Sequence, residues 1–183
     1  MPAKPKPAPR EKKKPKPIRS TQKGKPKKTN RQKLVIEISN LCREITKWRD
    51  GCVCVLSGVD GRCNNVSQWG HVVAQGGSGY LRHNLSNSFR QCGSHNTIHN
   101  YNATIYLNWY RHKFGNKALD MLESASMVTY HKFSMADLEE MRTNLQNLYA
   151  LRHEMNGSTL PQLVNAGFYG DIIKEAWIKD GKI

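Results

Sequence analysis

The sequence predicts an α+β domain: a small ββα unit stapled by metal, surrounded by α-helices and preceded by a disordered basic N-terminal tail. Three observations carry this expectation. The stretch from Cys52 to Tyr110 holds four of the five cysteines and four of the seven histidines. Apolar stripes at helical spacing flank it on both sides. Residues 1–33 carry 14 of the 29 Lys and Arg residues against one acid, Glu11, so most of the net charge of +15 sits in the tail.

Seven of the eight prolines also lie in the tail. A like-charged, proline-rich segment nearly free of large apolar residues cannot bury enough surface to offset its ordering entropy, so disorder is expected there. It has no aromatic residue to stack on bases, and its contribution to nucleic-acid binding is expected to be electrostatic, through counterion release. A chain of 183 residues has room for one modest core. The expected division is a DNA-binding tail over 1–33, a core domain with supporting helices over 34–155, and a C-terminal segment over 156–183 that docks a short helix on the core. No stretch approaches the roughly 18 apolar residues of a membrane span, and no apolar segment follows the basic start as it does in a secretory signal. The expectation is a reducing cytoplasm and no membrane partner. Cysteines crowded among histidines then suit metal better than disulfides.

From Leu34 the composition changes. Ile38, Leu41, Cys42, Ile45 and Trp48 recur every three or four residues, the stripe of an amphipathic helix that Asp50-Gly51 stops. Cys42 lies on that stripe as a packing residue. Cys52, Cys54 and Cys63 follow around a Val59-Asp60-Gly61 turn, which predicts a hairpin or knuckle. Cys92-Gly-Ser-His95 is a second ligand pair. Structural zinc takes four S or N ligands, usually as two pairs from two local turns. The expected set is Cys54, Cys63, Cys92 and His95, with Cys52 as the substitute for a member of the first pair; the bland alternative is buried free thiols.

Between the pairs, Gly70-His71 is flanked by Trp69 and Val72-Val73 in a strand, a GGSG loop follows, and Asn87 precedes the second pair. A helix is expected to start near His95 and to run on through Ile105, Leu107 and Trp109. Metal-assisted phosphodiester hydrolysis needs a base for water, a group that orients the base, and ligands for the ion. His71 is the expected base and Asn87 its orienting residue, with Asn96, His99 and Asn100 as ligands of a catalytic ion. Arg82, Arg90, Arg111 and Lys113 are the expected phosphate contacts.

Gln68-Trp69, Gly70-His71, Tyr80-Leu81-Arg82, Asn87, Gln91-Cys92, Asn96, Asn102 and Tyr110-Arg111 together resemble the HNH endonuclease superfamily, and within it the NinG/Rap family of phage recombination endonucleases. The resemblance runs over about residues 42 to 152. It implies that His71 is the HNH histidine and that Asn87 matches the asparagine before the second knuckle. It also implies Mg²⁺- or Mn²⁺-dependent cutting of branched DNA, a Holliday junction or D-loop, in the cytoplasm of a bacterial host. Two positions depart from the family pattern: Ser57 stands where a C-x₂-C knuckle would have its second cysteine, and His99-Asn100-Tyr101 replaces a lysine-serine-glycine run. A junction cut on two strands favours a homodimer. The alternatives are a non-catalytic zinc-stapled junction-binding protein and an HNH nuclease of linear duplex DNA.

The rest is expected to be helical support. Asn116–Glu123 reads as a short helix. Ser134 to Asp137 resembles a capping box ahead of Leu138, Met141, Leu145, Leu148 and Leu151. Asn156 to Pro161 breaks the pattern, and Asp171 to Lys179 reads as a last helix that brings Phe168, Tyr169 and Trp177 to the core.

Overall fold

The computed structural model describes residues 27–64, 67–74, 79–128 and 132–183. Residues 1–26 of the tail expected to be disordered fall outside them, as does most of the GGSG loop, while residues 30–33 of that tail are helical. The first helix, α1 (Asn30–Asp50), begins four residues ahead of the composition change at Leu34. The physical reason is a capping box: the Thr29 hydroxyl accepts from Gln32 N at 3.2 Å and the Gln32 side chain accepts from Thr29 N at 2.9 Å. Two otherwise orphaned backbone donors are satisfied. Ile38, Cys42 and Ile45 are fully buried on one face of α1, and Gly51, at φ +73°, ends it.

The sheet is one antiparallel pair, β1 (Ser67–His71) and β2 (Ser88–Cys92), in a register that sets Gly70 opposite Phe89 and His71 opposite Ser88. Cys52 to Asn64 contains turns and no strand, so the knuckle reading stands and the hairpin reading is corrected. Its backbone bonds run inward as turns, such as Ser57 N to Cys54 O at 2.9 Å, with Val55 N reaching Arg90 O at 2.8 Å. A short helix, α2 (Gly79–Arg82), separates the strands, and α3 (Gly93–His99) leaves β2 directly. The order strand, strand, helix is therefore built by β1, β2 and α3.

The single helix expected from His95 to Trp109 is two helices, because Asn100–Ala103 turns the chain before α4 (Thr104–Phe114). The turn is closed by Asn102, whose Oδ1 accepts from Thr104 N at 3.0 Å. α5 (Asn116–Ser126) follows Gly115, whose φ of +98° an L side chain would strain. α6 (Met135–Leu151) starts at the expected Ser134–Asp137 capping box and packs along α1. Residues 160–165 form α7 (Leu160–Asn165), a helix the proline obscured; Pro161 stands in its first turn, where a missing N–H costs nothing. Finally α8 (Gly170–Lys179) buries Ile173, Ala176 and Trp177, and Trp177 Nε1 donates to Phe114 O at 2.9 Å.

The fold over the described residues is thus mostly helical, with a small two-stranded sheet. Among the described residues no helix is long and apolar enough to cross a membrane. Its centre is aromatic: Phe89 of β2 lies against Trp109, Tyr110, Phe114 and Tyr169, with ring centroids 5.1 to 6.2 Å apart. The second strand is anchored by residues that sequence reasoning missed. Arg49 Nε lies 2.6 Å from Asp50 Oδ1, both side chains buried, and the guanidinium donates to the carbonyls of Leu85, Phe168 and Ser88. Asp50 Oδ2 in turn accepts from Arg90 N.

Candidate metal centre and candidate active site

Four side chains from two local turns converge on one point. The Sγ atoms of Cys54, Cys63 and Cys92 and a ring nitrogen of His95 all lie within 4.8 Å of one another. His95 Nδ1 is 3.3 Å from both Cys54 Sγ and Cys92 Sγ. A tetrahedral zinc with bonds of about 2.0 to 2.3 Å separates its ligand atoms by roughly 3.3 to 3.8 Å, so the cluster fits. Its second pair follows from a helix start: Cys92 is the N-cap of α3, its sulfur accepts from His95 N, and a C-x₂-H spacing brings both side chains to the same end. The first pair is Cys54 with Cys63; Cys52 is exposed and stands outside the cluster. This Cys₃His group could hold a metal ion such as zinc.

Electrostatics agree with a cationic guest. Burial raises the Cys54 thiol above its usual range, and the nearby sulfurs of Cys92 and Cys63 push it the same way. Burial acts upward on Cys92 as well, yet the N–H groups of His95 and Asn64 and the neighbouring thiols bring it below the usual range. Crowded thiols cannot all ionise beside one another without a cation. His95 Nε2 lies 2.7 Å from Asp60 Oδ1. The carboxylate can only accept, which puts the proton on Nε2 and aims the Nδ1 lone pair at the thiols.

The second grouping is a cleft of about 680 Å³ lined by His71, Asn96, His99, Asn100, Glu123 and others. His71 ends β1, and a side chain at the preceding Gly70 would collide with the Gln91 amide, which explains glycine there. His71 Nε2 donates to the Arg82 carbonyl at 3.1 Å, so its lone pair is on Nδ1. Burial lowers the imidazole to about 4, and the charges of Arg82 and Arg43 act in the same direction against the pull of the Arg82 carbonyl. His71 is neutral at neutral pH, the form a base requires. Its ring also packs on Trp69, centroids 4.5 Å apart.

α3 delivers Asn96 and His99, and Asn100 follows at its C-terminal end. Asn96 Nδ2 donates to Gln68 Oε1, which turns its carbonyl oxygen away from that bond. His99 Nδ1 is buried without a hydrogen-bond partner, and burial lowers this histidine below its usual range. Asn87 is fully buried and sits beside the loop that follows His71. Its Oδ1 accepts from Val73 N at 2.8 Å, and its Nδ2 donates to the carbonyls of Val73 and Leu81. Glu123, from α5, lies on the cleft wall although nothing in the sequence ties it to this stretch.

The four cationic residues expected to meet phosphate have different settings. Arg82 is exposed, its own carbonyl being the acceptor for His71, and Arg111 is exposed with Nη1 on Asn108 Oδ1. Arg90 is half-buried on β2. Lys113 lies over the rings of Trp109, Phe114 and Tyr169 at 5.3 to 5.7 Å, and burial lowers it below the usual lysine range.

No curated protein and no solved structure matches this chain. A family model described as Bacteriophage Lambda NinG protein matches residues 3–154, most of the length, and the chain belongs to that family.

Proposed function

We propose that this protein is an HNH-type, ββα-metal endonuclease that hydrolyses phosphodiester bonds in branched recombination intermediates such as Holliday junctions or D-loops. The observation that carries the reading is His71: a neutral imidazole, with its tautomer set by the Arg82 carbonyl, in one cleft with Asn96, His99 and Asn100. Membership in a phage recombination-related family supports DNA as the partner.

In this reading His71 Nδ1 takes a proton from water as the oxygen attacks phosphorus and the sugar oxygen leaves. The Arg82 carbonyl stabilises the imidazolium that forms, as a hydrogen-bonded acceptor does for other histidine bases. Asn87 acts on the loop and not on the reacting atoms; by clamping both polar groups of Val73 it fixes the backbone just after His71. In this reading His99, Asn96 and Asn100, which line one cleft, would hold a divalent ion, Mg²⁺ or Mn²⁺, which when bound would polarise the phosphate and stabilise the leaving oxygen. The Cys₃His cluster, loaded with zinc, would hold the Cys54–Cys63 knuckle against β2 and α3 and so fix the helix that carries Asn96 and His99.

The test is cleavage of labelled Holliday junction, fork and linear duplex by the purified protein with Mg²⁺, with Mn²⁺ and with chelator. Metal-dependent cutting of branched DNA that disappears in His71→Ala is the expected result. Binding without cutting under every ion would replace the enzyme with a junction-binding protein, and equal cutting of linear duplex would remove the branch preference.

A further inference from the structure

A second cavity, of about 560 Å³, lies between α6 and the segment Tyr80–Leu85 and shares no lining residue with the His71 cleft. Its apolar wall includes Leu85, Met141, Leu145 and Leu148, and its polar wall includes His83, Asp171 and Glu140.

The carboxylates of Asp171 and Glu140 are acceptors on this wall, and His83 brings a further, shielded acceptor close to it. His83 is only 7% exposed. The one proton of the Ser39 hydroxyl goes to the Val35 carbonyl at 2.8 Å, so Ser39 Oγ accepts from His83 Nε2 at 2.9 Å and the lone pair of His83 is on Nδ1. That Nδ1 is buried and has no hydrogen-bond partner, an arrangement native proteins seldom leave uncompensated. Asp171 accepts from Tyr80 Oη at 3.2 Å, Asn84 Nδ2 at 3.1 Å and Ile172 N at 3.1 Å, all neutral donors. Its charge is therefore solvated by dipoles and not cancelled. Glu140 is exposed and makes no ion pair among the described residues.

A guest that suits this wall donates hydrogen bonds and carries positive charge, while the apolar wall asks for aliphatic surface beside it. The α6 side runs from Asp137 to Leu148. At about 1.5 Å per residue that is roughly 16 Å, longer than a single amine and suited to a peptide segment. An acidic groove on a chain of net charge +15 is also the wrong sign for a phosphate backbone.

We propose that this groove binds a basic amphipathic segment of a partner polypeptide, with an arginine or lysine side chain donating to the carboxylates of Asp171 and Glu140 beside His83, and aliphatic residues covering Leu145 and Leu148.

The test is calorimetric titration of the full chain with a synthetic amphipathic peptide of leucine, alanine and arginine. The same peptide with glutamine for arginine, and arginine amide alone, are the controls. The glutamine peptide should bind at least about tenfold more weakly, and so should the arginine peptide to Glu140→Arg, a change at an exposed side chain that leaves the fold intact. His83→Phe, checked for an unchanged melting transition, should weaken binding as well. No binding, or equal affinity for the two peptides or for the Glu140→Arg chain, overturns the proposal. Arginine amide matching the peptide would overturn the polypeptide occupant in favour of a small organic cation.

Discussion

Asp60 Oδ1 stands 2.7 Å from Nε2 of His95, on the side of the imidazole opposite the three thiols. The His95 hydrogen bond is the main cause that holds the Asp60 carboxyl below its usual range. A turn residue between the first two clustered cysteines thus orients the one nitrogen ligand of the cluster.

Metal content should follow this geometry. Cys54→Ser, Cys63→Ser and Cys92→Ser are each expected to lose bound zinc, while Cys52→Ser retains it, as measured by metal analysis of the purified chains. Asp60→Asn keeps the four ligands and loses the carboxylate, so zinc affinity should fall roughly 10- to 100-fold in competition with a chromophoric chelator. Full zinc content in Cys63→Ser would reassign the first pair to Cys52.

His71 sets the pH dependence of the proposed cleavage. With the imidazole lowered to about 4, the base form is present throughout the neutral range and is lost only as pH falls toward that value. The rate at saturating ion should therefore show no His71 limb between pH 5.5 and 7.5; a limb near the unperturbed value of about 6.5 would contradict the assignment. His71→Ala should lower the rate by roughly 10²- to 10⁴-fold, the usual contribution of a positioned base.

The same depressed values make stability pH-dependent. His71 and His83 are both lowered to about 4 by burial, whereas an unfolded histidine titrates near 6.5. Above about 6.5 both states are neutral and nothing is lost. Between that value and about 4 the unfolded chain binds protons that the folded chain does not, so stability falls with pH, by roughly 2 kcal/mol per histidine at pH 5 as an upper figure. Denaturant titrations at pH 7 and pH 5 measure the loss, and His83→Phe should remove part of it.

Asn87 tests positioning apart from chemistry. Asn87→Ala leaves the N–H and C=O of Val73 without the amide that satisfies them, at roughly 1 to 3 kcal/mol for each buried group left unpaired. Stability and cleavage should fall together, and the pH profile should keep its shape, because the His71 tautomer is held by Arg82 and not by Asn87.

What could be read in the sequence was what local spacing encodes. The α1 stripe, the Ser134–Asp137 cap and the C-x₂-H pair at the start of α3 depend on residues three or four apart, and one helical turn brings such residues together. The Gly70-His71 strand was legible from the β-favouring residues beside it, Trp69 and Val72-Val73. Contacts between distant segments were not: Glu123 reaches the cleft from α5, and His83 meets Ser39 across 44 positions. The hairpin expected over 52–69 failed because β1 pairs with a strand 21 residues further on and leaves the knuckle as turns. Lys113 also shows a distant contact, since Tyr169 joins Trp109 and Phe114 beneath its ammonium group.

Arg49 shows how strongly a residue outside every motif can determine the site. Its guanidinium is buried over Phe89 and Tyr169, at 4.4 and 4.5 Å from the ring centroids, and joins the end of α1 to the carbonyls of Leu85, Ser88 and Phe168. Removing one partner of a buried pair leaves a charge uncompensated, so Arg49→Met should cost about 3 to 5 kcal/mol. Arg49→Lys keeps the charge but not the planar fork that reaches three carbonyls and a carboxylate, and should recover only part. In the double variant Arg49→Met with Asp50→Asn, the buried charge is gone, and the loss should be smaller than the sum of the single losses. Urea midpoints of the wild-type chain, Arg49→Met, Asp50→Asn and the double variant measure this coupling. Additive losses would mean that the pair is not the unit that ties α1 to β2, and hence to Cys92 and the start of α3.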